Sequence, residues 1–117
     1  MFYQPFLVLF LMSYIKVATP ASDTISQEVI ICEGKYNKIV CPEKMKMRIL
    51  SAFYGNVGYS VCGSMRNIEC YNPKALAKVH KTCHKKQECI LVADNGILGD
   101  NCPAGNNHLR VGFTCKK

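Results

Sequence analysis

Eight cysteines, at positions 32, 41, 62, 70, 83, 89, 102 and 115, constrain the fold of this chain more than any other feature. The count is even and the first cysteine follows a segment with the marks of a secretory leader, so the cysteines read as a disulfide framework. Eight cysteines allow about 105 pairings, and spacing alone does not choose among them. A framework of this kind persists only in an oxidising compartment. The alternative use of cysteine, a zinc site, needs close pairs such as C-x2-C, and none occurs. Cys83 and Cys89 with His80 and His84 are the nearest approach to a ligand set, and no metal or cofactor is expected from them.

The leader is residues 1–21. Phe6 to Met12 is an apolar run too short to cross a bilayer, and Thr19-Pro20-Ala21 places small residues before a cut near Ser22. The expected organisation is a signal peptide at 1–21, a polar lead-in at 22–29 and one domain at 30–117. The expected destination is secreted and extracellular, without stable membrane insertion. A mature chain of this size buries little for its length, so crosslinks supplement the core.

Charge narrows the partners. Removing Lys16 with the leader leaves 14 Lys and Arg against 8 Asp and Glu, a net charge of +6. That balance favours anionic partners. The basic residues are scattered apart from Lys78, Lys81, Lys85 and Lys86, and no aromatic residues interleave with them, so no nucleic acid is expected. Catalysis finds no support: G-x-S-x-G, H-E-x-x-H and a paired-carboxylate arrangement are all missing, and disulfides leave no thiol nucleophile.

The local pattern is that of a small α+β fold, disulfide-rich and mainly antiparallel, with one clear helix and long structured loops. Val29-Ile30-Ile31 reads as a strand entering Cys32, followed by a Glu33-Gly34-Lys35 turn and a second strand at Lys38 to Cys41. Met45 to Ile49 alternates apolar and basic residues, the signature of a strand with one buried face. Ala52 to Gly63, rich in Gly, Tyr and Ser, reads as a loop. Asn72-Pro73 reads as a helix start, with Ala75, Leu76, Val79 and Cys83 on the buried face. Ile90 to Ala93 is a short strand, Asn95-Gly96 a tight turn, and Leu109 to Phe113 the last strand.

Sugar recognition needs carboxylates, amides and ammonium groups that bond adjacent hydroxyls, plus an aromatic ring for the apolar face. Glu33, Tyr54, Asn95 and Asp100 are residues of those types, each beside a cysteine or a glycine turn. Each also has a structural role open to it: Glu33 bonding turn amides, Tyr54 filling the core, Asn95 adopting a left-handed turn, Asp100 capping a loop.

Cys32-Glu33-Gly34, Tyr54-Gly55-Asn56 and the stretch from Ala93 to Cys102 resemble the sea-urchin-egg-type galactose/rhamnose-binding lectin domain, which also occurs in latrophilin-like receptors. The family's Ala-x-Asn-x-x-Phe-Gly-Asp-Pro-Cys reads here with Leu98 for Phe and Asn101 for Pro, and the block from Cys102 to Cys115 has the family's length. The resemblance spans residues 31–115. It implies the pairs Cys32–Cys62, Cys41–Cys115, Cys70–Cys102 and Cys83–Cys89. It also implies a non-enzymatic lectin for terminal rhamnose- or galactose-type glycans. Glu33 and Asp100 would accept hydroxyl hydrogens, Tyr54 would pack on the ring and Asn95 would bond a hydroxyl.

Four positions depart from the family pattern. Asn56 replaces the arginine of Tyr-Gly-Arg, Ala104 a glycine, Asn101 the proline, and Asn107 a lysine. Losing an ammonium that bonds two hydroxyls costs about 1.5–3 kcal/mol, and the Asn107 amide is the candidate to replace part of it. The competing reading is a protein-binding or toxin-like module for a cell-surface protein on the same scaffold. A basic membrane-active protein ranks third, resting on charge alone. The sequence does not set the oligomeric state, and one domain crosslinks cells only by oligomerising.

Overall fold

Six strands and two helices follow the chain in a computed structural model that describes residues 25–57, 61–63, 70–99, 102 and 106–117. The strands are β1 (Gln27–Cys32), β2 (Tyr36–Val40), β3 (Lys46–Asn56), β4 (Cys70–Tyr71), β5 (Glu88–Val92) and β6 (His108–Lys116). Helix α1 is Ala75–Cys83 and the short helix α2 is Asn95–Leu98. A four-stranded antiparallel sheet has the order β1-β6-β3-β4, and β2 pairs with β5 in a second antiparallel sheet.

β6 owes its central place to its composition. Leu109, Val111 and Phe113 alternate along it and are buried, and both edges of the strand are paired, to β1 and to β3. Met47 and Ile49 of β3, Ile31 of β1 and Leu91 of β5 join the same core, with Ala75 and Val79 of α1 packed onto it. Exposed residues alternate with the buried ones, as the pleat of a half-buried strand requires. A register shift between Ile49 and Ser51 in the β3–β6 ladder leaves Leu50 out of the pairing and 53% exposed.

The disulfides are Cys32–Cys62, Cys41–Cys115, Cys70–Cys102 and Cys83–Cys89, the same four pairs that the family resemblance implies. Cys41–Cys115 ties the end of β2 to β6 and so fastens one sheet to the other. Cys83–Cys89 closes the end of α1 onto β5.

Four local expectations are corrected. Ala52 to Asn56, taken as the start of a loop, continues β3: Ala52 to Gly55 pair with β6, and Gly55 and Asn56 pair with β4. Gly55 is required there, because a Cβ would lie 2.1 Å from the Cys70 carbonyl oxygen. The rest of that stretch through residue 60 lies partly outside the described residues. The helix begins at Ala75 rather than at Pro73. Asn72 still organises its entry, accepting from the Lys74 amide at 2.9 Å while its side-chain nitrogen donates to the Leu98 carbonyl. Asn95-Gly96 is helical rather than a bare turn, since the Asp94 side chain caps it by accepting from the Gly96 amide at 3.2 Å. β1 begins at Gln27, inside the stretch expected as lead-in, and the leader at 1–21 lies outside the described residues.

Candidate functional site

Three loop segments meet at one end of the four-stranded sheet. The Glu33-Gly34-Lys35 turn after β1 is closed by a bond from the Lys35 amide to the Cys32 carbonyl at 2.9 Å, with Gly34 at φ 83°. Gly34 then donates to the Ala93 carbonyl, and Ala93 donates back to the Lys35 carbonyl, at 2.8 and 2.9 Å. The turn is thereby fixed against the residue that leads into Asp94 and α2. Glu33 donates its amide to the Asn107 carbonyl at 2.8 Å, and the Asn107 amide donates to Glu33 Oε1 at 3.3 Å. Glu33 is thus held on two sides before any ligand arrives.

Side chains complete the cluster. Tyr54 Oη donates to Asn95 Oδ1 at 2.5 Å, and Asn107 Nδ2 donates to the same oxygen at 3.2 Å. Asn107 is 1% exposed, and its Oδ1 is buried with no hydrogen-bond partner. Leaving a buried acceptor unpaired costs about 1–3 kcal/mol. Glu33 and Asn95 are half-buried, so each keeps a polar face toward solvent.

The structure therefore brings together Glu33, Tyr54, Asn95 and Asn107. Asp100 and Ala104 lie outside the described residues. The position of Tyr54 corrects one expectation: its side chain is 1% exposed, so no ring face is offered for stacking on a sugar. Its hydroxyl instead orients Asn95. Asn56, standing for the family's arginine, is buried as well.

Sequence reasoning missed two neighbours. Asp94 sets the helical turn that presents Asn95, and an acid just before Asn95-Gly96 was the signal for it. His108, beside Asn107, is fully buried, with both ring nitrogens lacking hydrogen-bond partners and its ring 5.2 Å from that of Phe53. Burial, and then the nearby Arg110 charge, hold its pKa below the ordinary 6.5. A neutral imidazole thus closes the floor beside the amide cluster. No group of three or more metal-ligating side chains occurs among the described residues.

A family model described as the D-galactoside/L-rhamnose binding SUEL lectin domain matches residues 39–115. The chain belongs to the SUEL lectin domain family. Among similar proteins, Latrophilin Cirl of Drosophila mojavensis is 30% identical over 93 residues, covering 76% of this chain and 5% of that protein. Protein eva-1 homolog C of Mus musculus is 31% identical over 93 residues, covering 73% of this chain and 21% of that protein. Adhesion G protein-coupled receptor L1 of Homo sapiens is 28% identical over 90 residues, covering 74% and 6%. The lectin domain here thus matches only a small part of each relative. Family membership makes it a carbohydrate-binding type of module. No helix among the described residues is long and apolar enough to cross a membrane.

Proposed function

We propose that this lectin domain is an extracellular, non-enzymatic sugar-binding module for a terminal rhamnose- or galactose-type residue. Glu33, Asn95 and Asp100 provide the contacts, and the buried Tyr54 and Asn107 are positioning residues that hold Asn95 and Glu33. The convergence of Glu33, Asn95 and Asn107 from three separate segments, with one amide oxygen of Asn107 left unpaired, supports this reading. The half-buried carboxylate of Glu33 can accept from a sugar hydroxyl, and the half-buried amide of Asn95 can bond a second. Because the polar groups are already fixed to one another, little side-chain freedom is lost on binding. Secretion through the leader at 1–21 belongs to the same proposal and fits the four disulfides, which need an oxidising compartment.

Calorimetric titration of the oxidised protein with L-rhamnose and D-galactose tests the proposal. Millimolar or tighter binding, weakened about tenfold or more in Glu33→Ala and Asp100→Ala, supports it. No heat and no change in thermal midpoint at saturating sugar contradicts it.

A second reading, a module for a cell-surface protein, is favoured by one observation. Ile90, Val92 and Ile97 are exposed apolar residues on the wall of a cavity of about 210 Å³ beside α1. Under that reading, Ile90→Asp with Ile97→Asp abolishes cell binding while sugar has no effect on it.

A further inference from the structure

At the far end of the same sheet lies a second concavity whose chemistry is opposite to that of the amide cluster. It encloses about 290 Å³, and its rim is Lys44, Lys46, Arg48, Lys85, Lys116 and Lys117 above the buried Met47. All six basic residues are exposed, and no acid stands among the described residues lining it. Lys46 is eight residues from Tyr54 along β3, or about 25 Å at roughly 3.3 Å per residue. This pocket and the amide cluster are therefore separate sites.

The pocket is built by several elements rather than left over as a charged surface. Alternation along β3 turns Lys46 and Arg48 outward while Met47 fills the core. The β3–β6 register then sets Lys116 directly opposite Lys46. Like charges facing each other across a ladder are destabilising. Lys44 and Lys85 both have left-handed backbone, φ 67° and 65°, a conformation that favours Gly or Asn over a long side chain. The turn carrying Lys85 is stitched to β3: the Lys85 amide donates to the Met47 carbonyl, and the Met47 amide to the Lys86 carbonyl, each at 2.8 Å. Strained lysines and opposed lysines in one pocket point to a function that holds them there.

No ion pair among the described residues neutralises this charge. The ion pairs among the described residues, Lys38–Glu88 and Arg110–Glu28, leave all six bases out. His84, whose Nδ1 accepts from the Ile49 amide, has its pKa lowered by burial and then by His80, Lys85 and Arg48.

We infer that this pocket is an anion site for a sulfated polysaccharide, distinct from the amide cluster at the other end of the sheet. Sulfate esters spaced along a stiff sugar chain match several ammonium groups around a small concavity. A lipid surface fits less well, because the only apolar side chain among the described residues lining the pocket, Met47, is buried. A nucleic acid fits less well too, because no aromatic ring stands among the described residues lining the pocket for bases to stack on.

The test uses heparin as the probe at about 0.15 M ionic strength, where the screening length is about 8 Å. Amide shift mapping on the unmutated protein should move Lys44 to Arg48, Lys85 and Lys116 while leaving Glu33 and Asn95 still. The triple variant K46Q/K85Q/K116Q should lose about tenfold or more in heparin affinity, with a steep dependence on salt, as expected when polyanion contacts release counterions. The equally charged control K35Q/K74Q/K81Q should lose about threefold at most. Desulfated heparin should not bind, and excess L-rhamnose should not displace heparin. Equal losses in the two triple variants, shifts spread over the whole surface, or no binding by the unmutated protein would overturn the inference. So would tighter binding to phosphatidylserine vesicles or to single-stranded DNA than to heparin. Failure of sugar binding at the amide cluster leaves this result untouched, so the two proposals fail separately.

Discussion

Asn107 and Tyr54 donate to one and the same acceptor, Asn95 Oδ1, at 3.2 and 2.5 Å. The Asn95 amide plane is thereby fixed, and with it the direction of its free side-chain nitrogen. A residue that looks like a turn former in sequence becomes a rigid contact because a core tyrosine reaches it.

Tyr54→Phe isolates that relationship. The ring stays buried and only the hydroxyl goes, so the fold should survive with a loss of about 1 kcal/mol. Sugar affinity should fall about threefold to tenfold through loss of Asn95 orientation. Calorimetry and a thermal melt on the same sample separate the two effects.

Disulfide removal should follow loop length. Cys41–Cys115 spans 74 residues and Cys83–Cys89 spans 6. In the chain-entropy account the first contributes on the order of 4 kcal/mol and the second about 2 kcal/mol. Denaturant melts of the paired Cys→Ser variants should show that order.

Gly55→Ala is expected to break the β3–β4 pairing, since its Cβ would meet the Cys70 carbonyl oxygen. A cost of about 1–3 kcal/mol is expected. Hydrogen exchange should show protection lost at Tyr71 while the β6 amides stay protected.

Much of the fold was legible because short-range patterns report it. The alternation in Met45 to Ile49 and in Leu109 to Phe113 stands where those patterns put it, and so does the helix stripe of Ala75, Val79 and Cys83, but Leu76, expected on the same buried face, is 42% exposed. What failed depends on contacts distant in sequence. Ala52 to Asn56 reads as the start of a loop by composition, yet pairing with β6 and β4 keeps it extended. Asn95-Gly96 failed for a local reason instead: it carries a turn signal, but the adjacent Asp94 cap makes it helical. The residue types of the candidate site were visible in sequence. The inward direction of Tyr54 was not, because a tyrosine beside glycine suits a surface as well as a core.

Acid should weaken the protein through His108. Its folded pKa lies below the ordinary 6.5, so the unfolded state takes up the proton first. The stability that His108 contributes is present above about pH 6.5 and is lost as pH falls toward the folded pKa. His108→Leu removes both unpaired ring nitrogens and should flatten this part of the stability profile below about pH 6.5. Denaturant midpoints across that range check it.

The most direct measurement is an amide shift titration of the oxidised, isotope-labelled protein with L-rhamnose, following the side-chain NH2 signals of Asn95 and Asn107. The account predicts saturable shifts in both, together with the Glu33 backbone amide, on a single millimolar or tighter curve. Unmoved Asn95 and Asn107 signals at saturating sugar, or shifts confined to other faces, would contradict it.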